Sequence, residues 1–327
     1  MAATKAARDR AEQIDRERDR LELAGVTAAV RLGRTLFQQI ADLMALGLRN
    51  FSEPLANFER DVAQVFASAM TASHLTGAAS TFAAAEPRLR AARPLAFQLL
   101  ERATEAAAAL IDVDDATLAA MANQYSQDAV SVTRSIGSEI EDKLRVVIAR
   151  NIEEGRTVPQ GTAAVREEFR NIGIIDTRVR GPIPAGTKRV VGKHLFETLF
   201  RTQVQISYSA GRWEMLQDPA FQEVLWGHEY VTVGDDRVRP RHEIMDGMRF
   251  AKDDPRWRTL WPPNGFACRC STIEIFLDER IANTKQPPDS RVIDGKTFRP
   301  EPDEGFAFNP GIVRSLLGGS PAARNLV

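Results

Sequence analysis

Pro262-Pro263-Asn264-Gly265-Phe266-Ala267-Cys268-Arg269-Cys270, followed at once by Ser271-Thr-Ile-Glu-Ile-Phe-Leu277, is the stretch on which the reading of this chain turns. Its first part is rich in turn formers and holds both cysteines of the protein, one residue apart. Its second part alternates apolar and polar residues, the period of a strand. On an extended backbone the two sulfurs point to one side and Arg269 to the other. A disulfide between cysteines so spaced would be strained. The pair therefore either carries chemistry or holds a small structure together.

Upstream lies a tight, charged segment, Asp236-Arg-Val-Arg-Pro-Arg-His242-Glu-Ile-Met-Asp246-Gly247, in which Asp246-Gly247 is a turn signal. Before it, Leu225-Trp-Gly-His-Glu-Tyr-Val-Thr-Val233 is rich in strand formers. These segments predict a small α+β domain with an antiparallel sheet. Three readings of its polar residues stand side by side. His242, Cys268 and Cys270 are suitable zinc ligands, with Asp246 four residues after His242 as a fourth candidate. A cysteine activated by His242 and oriented by Asp246 would be a nucleophile, its thiol pKa lowered by Arg241 and Arg269. In the third reading the cysteines are small buried hydrophobes and the charges brace a domain with a thin core. We adopt the third, with no catalytic residue assigned and zinc kept as the alternative cofactor. The dense arginines here (Arg237, Arg239, Arg241, Arg249, Arg256, Arg258, Arg269) alternate with aspartates, so phosphate binding would require their segregation on one face.

Residues 1–180 read as a mainly helical, elongated region. Residues 5 to 22 are charged, and the arm 1–25 is expected to be a solvated helix or a segment that orders on a partner. Leu36, Phe37, Ile40, Leu43, Met44 and Leu48 recur at helical spacing. A second helix is expected from Pro54 to about Met70, a connector over 75–86, and a further helix opening at Pro87 and bent at Pro94. Asp114-Asp115 offers a cap to a stretch carrying the stripe Ile136, Ile140, Leu144 and Ile148, with Glu141 and Arg145 paired outside and Gly155 at its end. Thr157-Val-Pro-Gln160 opens a short helix bearing Ala164, Val165 and Phe169. Gly181-Pro-Ile-Pro-Ala-Gly186 marks the boundary to a domain over 181–312, with a tail over 313–327. Gly186 to His194 is not a phosphate loop, because the glycine spacing is wrong and His194 replaces the Ser/Thr. One more helix spans 194 to 216, with a face of Ser207, Ala210 and Gly211 that lets another backbone approach closely.

The chain has 327 residues, enough for two domains, and a net charge of −1, so bulk charge recruits neither nucleic acid nor membrane. The N-terminal residues do not read as a secretory signal, and no apolar run is long enough to cross a bilayer.

In combination these motifs resemble the phage head morphogenesis, Mu F-like minor head protein family. The resemblance rests on Arg201-Thr202-Gln203 with Ala210-Gly211-Arg212, on Asp236, Arg239, His242, Asp246 and Gly247, on Pro262, Pro263, Cys268, Arg269 and Cys270, and on Gly305 to Gly311. It covers roughly residues 190 to 312. One departure is Gly265, where many relatives carry a histidine. The resemblance implies a low-copy structural component of the virion head near the portal vertex, assembled in the host cytoplasm and assisting procapsid assembly and DNA packaging or delivery. The implied partners are the portal protein and the major capsid or scaffold protein, with DNA contact as a further reading. It implies no toxin module, since little chain follows the motif. The competing classes are a metal-dependent or cysteine-based enzyme delivered with the virion and a DNA-binding factor inside the capsid.

Overall fold

A computed structural model describes residues 3–46, 50–92, 137–138, 140–151, 153–154, 156–172, 195–279 and 281–313. Its elements are α1 (Lys5–Ala45), α2 (Ser52–Ala92), α3 (Val158–Ile172), α4 (Leu195–Leu216), α5 (Pro219–Val224), β1 (Leu225–Val231), α6 (Pro240–Met245), β2 (Arg249–Ala251), α7 (Trp257–Leu260), β3 (Ser271–Phe276), β4 (Arg291–Ile293) and β5 (Lys296–Phe298). The fold is α+β. β1 is central in an antiparallel sheet of order β2-β1-β3, and β4 and β5 form a separate hairpin. The expectations on Leu48, Pro94, Asp114-Asp115, Ile136, Gly155, Gly181 to Gly186, Gly186 to His194 and the tail beyond 313 lie outside the described residues.

The chain divides into two compact units, and the division does not fall at 180/181. One unit comprises Met1–Arg20, Met70–Met121 and Thr202–Val327, and the other Leu21–Ala69 and Ala122–Arg201. The reason is packing: the start of α1 and the later turns of α2 bury their apolar faces on α4 and the sheet.

Within the first unit, α2 and α4 cross at backbone contact. A Cβ on Gly77 would lie 2.1 Å from the Tyr208 carbonyl oxygen, and one on Gly211 would lie 2.0 Å from that of His74. Ser73 Oγ donates to the Val204 carbonyl at 2.7 Å in the same crossing. The small-residue face of α4 thus acts as its composition predicts. Its partner is the stretch 75–86, which is helical and not a connector; its small residues are there for close approach rather than flexibility. Pro87 likewise lies inside α2 instead of opening a new helix.

The sheet is covered on both faces. His228, Tyr230, Thr272 and Glu274 share one face, turned to a core that includes Trp213, Phe250, Trp257, Trp261, Cys268 and Cys270. Glu229, Val231 and Ile273 share the other, where Ala3, Ala7 and Ala11 pack on Val231 and Ile273. The charged arm is therefore folded onto its own domain and is not a solvated helix. Ala3, Ala7, Ala11 and Ile14 form a buried stripe at helical spacing inside the charged run. Small side chains let the helix lie close to the strands.

The second unit follows its sequence pattern. Leu36, Phe37 and Ile40 are buried with Val165 and Phe169, and Phe37 meets Phe169 edge to face at 6.0 Å. Phe200 sits over Gly25 and meets Phe66 at 4.7 Å. Ile140 and Leu144 are buried, and Arg145 pairs with Glu141 at 2.5 Å as expected. Gln160 Oε1 accepts from Thr157 N at 2.9 Å, closing the start of α3.

Adding one methyl group where two backbones touch forces the helices apart. Gly211→Ala is expected to lower unfolding free energy by about 1–3 kcal/mol, the cost of overpacking, measured by urea titration. An Ala at Gly305, where nothing stands within 4 Å but φ is +84°, tests the separate cost of a left-handed backbone and should lose about 1 kcal/mol.

Candidate functional site

Three segments bring the polar signature together. α6 begins with Pro240 at its first turn and presents His242 inward. Asp246 ends it, and Gly247, at φ +77°, turns the chain back so that its N–H donates to the Tyr230 carbonyl at 2.7 Å. The third segment, 262–270, reaches β3 across a turn in which Ala267 adopts a φ of +49°. A non-glycine residue there is costly unless held, and Thr202 Oγ1 holds it by accepting from Ala267 N at 3.0 Å.

Helix α4 is the shelf for this turn. Thr202, Gln205 and Ser209 lie on one face: Gln205 Nε2 donates to the Cys270 carbonyl at 3.3 Å, and Ser209 Oγ donates to the Pro262 carbonyl. Trp261 Nε1 returns a bond to the Ser209 carbonyl at 3.4 Å. Neither Gln205 nor Ser209 belongs to the sequence signature. The signal for both was their i, i+3, i+7 spacing with Thr202.

His242, Cys268 and Cys270 converge. The His242 Nδ1 stands 3.6 Å from Cys268 Sγ and 3.7 Å from Cys270 Sγ, and the three side chains are only 1–3% exposed. His242 Nε2 lies 3.1 Å from the Asn264 carbonyl oxygen. Because a carbonyl only accepts, Nε2 donates to it, and this bond turns Nδ1 toward the sulfurs. Burial raises the Cys268 thiol, but the Cys270 S–H and the His242 ring outweigh it and hold Cys268 well below its ordinary pKa. Cys270, donating to Cys268 and buried, is pushed well above its own. The Tyr230 hydroxyl, pushed up chiefly by burial, is a further partner of Cys270.

Asp246 is not part of this cluster. Its Oδ1 accepts from Thr232 N at 2.8 Å and Thr232 Oγ1 at 3.0 Å, and its Oδ2 from Ala3 N at 3.0 Å and Arg8 at 2.8 Å. Four accepted bonds saturate the carboxylate, and they tie the chain start to the turn after α6. It neither ligates beside the sulfurs nor orients His242; the Asn264 carbonyl does the latter. Asp236 is exposed, and the acid that meets Arg269 is its neighbour Asp235, at 2.6 Å. Arg269 points away from the sulfurs, as an extended Cys-Arg-Cys requires, while its carbonyl accepts from Arg18 at 3.3 Å. Arg239 donates to the Phe266 carbonyl at 2.5 Å and pairs with Asp303 at 3.1 Å.

The signature after β5 closes the same turn. Asn309 Nδ2 donates to the Trp257 carbonyl at 3.0 Å, and its Oδ1 accepts from Gly311 N at 2.9 Å. A Cβ on Gly311 would lie 2.3 Å from the Trp213 ring. Phe306 packs edge to face on Phe266 at 4.9 Å. Asn-Pro-Gly is thus a clamp whose glycine makes room for Trp213.

Residues 142–273, which run from before α3 through the cysteine pair into β3, match the family described as Phage Mu protein F like protein. The match marks residues 142–273 as similar to the Mu F-like family, over less than half of the chain. The chain is 23% identical over 210 residues to the protein named "Putative capsid assembly protein F" of Escherichia phage Mu, an alignment covering 56% of this chain and 47% of the Mu protein. It is 36% identical over 73 residues to the Mu-like prophage FluMu F protein of Haemophilus influenzae, covering 22% of this chain and 17% of that one. The chain thus spans less than half the length of either relative. No solved structure gives a significant match. Within the matched segment, the place of Gly265 is explained by its neighbours. A Cβ there would lie 2.3 Å from Asp303 Oδ2 and 3.2 Å from Arg239 Nη1, so the Arg239–Asp303 pair fills the space that a larger side chain would take. Among the described residues no helix is long and apolar enough to cross a membrane.

Behind the cysteines the sheet face carries a second polar group. Arg212 is buried and pairs with Glu274, whose carboxyl is held below its ordinary pKa by Arg212 against the cost of burial. His228, caged edge to face by Trp257 at 5.4 Å and Trp261 at 4.9 Å, is kept neutral. Burial pushes it down from 6.5 to about 3, with Glu274 opposing and Arg212 assisting. As pH falls below 6.5 the unfolded chain takes up a proton that the native state refuses, so stability is lost between pH 6.5 and about 3. From about pH 7 to about pH 5 this costs about 2 kcal/mol, above the range in which Glu274 titrates. His228→Phe is expected to flatten that loss in urea titrations at the two pH values.

Proposed function

We propose that this protein is a structural component of a phage head, working through protein contacts rather than catalysis. The observation that carries this reading is the family match over the bracing site, supported by the name of the Mu relative, a capsid assembly protein. Burial supports the non-enzymatic half of it. His242, Cys268 and Cys270 are enclosed by α4, α6 and the turn 262–270, and a thiol in that position has no face open to a substrate. A nucleophile needs partial exposure as well as an activating base.

The finer reading is a low-copy minor head protein beside the portal vertex, in contact with the portal protein and with the major capsid or scaffold protein, assisting procapsid assembly and DNA packaging or delivery. Direct DNA contact is the weaker part. Arg237 and Arg269 are paired with Asp235, Arg239 with Asp303, Arg241 with Glu301, Arg249 with Glu229 and Arg256 with Asp254. Cations so matched contribute little to phosphate binding.

The test is made in the phage that encodes the chain. An epitope-tagged copy is expected to co-purify with heads at a few copies per particle and to localise to one vertex by asymmetric reconstruction. Its deletion is expected to reduce the yield of filled heads. Heads free of the tag, with unchanged yield and infectivity after deletion, would sink the proposal.

A further inference from the structure

We propose that His242 Nδ1, Cys268 Sγ and Cys270 Sγ bind a zinc ion that cross-links α6 to the turn before β3. Among the described residues these are the three side chains of metal-binding type whose donor atoms all lie within 4.8 Å of one another. Geometry carries the case. With Zn–S about 2.3 Å, Zn–N about 2.0–2.1 Å and a tetrahedral angle, nitrogen and sulfur stand about 3.6 Å apart. The observed separations are 3.6 and 3.7 Å.

The surroundings are those of a metal-bound histidine. Its remote nitrogen donates to a backbone carbonyl, which fixes the ring and leaves the other nitrogen free to ligate. That carbonyl is itself fixed, since it also accepts from Asp303 N at 2.8 Å. Gln205 holds the Cys270 carbonyl and Thr202 the turn at Ala267, so the sulfurs are placed by groups outside the cluster. The Tyr230 hydroxyl flanks Cys270 as an outer hydrogen bond. Three protein ligands leave one position of the tetrahedron, and Asp246, saturated elsewhere, does not fill it.

The ion would act as a staple. α6 and the Cys-Arg-Cys turn are far apart in sequence, and the domain they join is small. Zinc binding by deprotonated thiols then adds directly to folding stability. The inference is independent of the phage-head reading, because it is read on the purified protein alone.

Protein purified from zinc-supplemented cells without chelator is expected to hold about one zinc per chain by elemental analysis. Removing it with a membrane-permeant chelator under mild denaturant, then adding cobalt, should produce the thiolate-to-cobalt charge-transfer and tetrahedral d–d bands. Cys268→Ser, Cys270→Ser and His242→Ala should each retain less than about a tenth of an equivalent, whereas Asp246→Asn should keep the full complement. Because a ligand variant can simply fail to fold, the wild-type protein gives a second readout: its two thiols should resist a thiol reagent until zinc is removed. Wild-type protein that neither retains zinc nor takes up cobalt, that holds another metal in stoichiometric amount, or that keeps its zinc in the cysteine variants would overturn the proposal.

Discussion

The contact on which the domain depends is the crossing of α2 and α4, where Gly77 and Gly211 let two helix backbones touch. A helix pair ordinarily stands 8–10 Å apart, the separation set by side chains at the contact. Removing the side chains at the crossing brings α4 close to α2 on one side and frees its other side to serve as a shelf. Thr202, Gln205 and Ser209 project from that shelf to the turn 262–270, and Arg212 projects to Glu274 on β3. If α4 were displaced, the hydrogen bonds that hold Ala267 in its left-handed conformation and fix the Cys270 carbonyl would lengthen together. The cysteines owe their positions to a glycine contact that none of them touches.

A second constraint comes from the chain's own start. Asp246 gathers four donors, two from Thr232 and one each from Ala3 and Arg8, so the first turn of α1 is bound to the turn after α6. This covers the face of the sheet opposite the aromatic core. A three-stranded sheet with one bare face would be marginal. With α1 on one side and α4 on the other, the sheet becomes the middle layer of a sandwich. Much of the described interior is polar, and buried charges there stand in pairs, Arg212 with Glu274 and Arg249 with Glu229. Such pairs add little net stability, but breaking one is costly, so they hold the arrangement to one geometry.

Local patterns were legible where a residue's role is played out within its own element. The strands β1 and β3, the helices α3 and α4, the Glu141–Arg145 pair and the close-approach face of α4 all follow from periodicity or spacing. Patterns that serve a distant partner were misread. The alanines of 75–86 have the composition of a loop but are the other half of a helix crossing. Ala3, Ala7 and Ala11 are hidden in a charged run, because alanine carries little weight in any hydrophobic pattern although it is what a close-packed helix face requires. Asp235 could not be told from Asp236, since the choice between adjacent carboxylates depends on which way the loop turns.

By itself the sequence determined that His242, Cys268 and Cys270 belong to one small α+β domain, and that the spacing of Cys-Arg-Cys throws both sulfurs to one side. These follow from backbone periodicity, which is local. Tertiary structure alone decided that Asp246 is withdrawn from that group and spent on the N-terminus, that the Asn264 carbonyl orients the His242 ring, and that the charged arm is a structural layer. Each of these depends on which of many equally suitable polar partners arrives first within hydrogen-bond reach, and that is settled by how helices separated by more than a hundred residues pack.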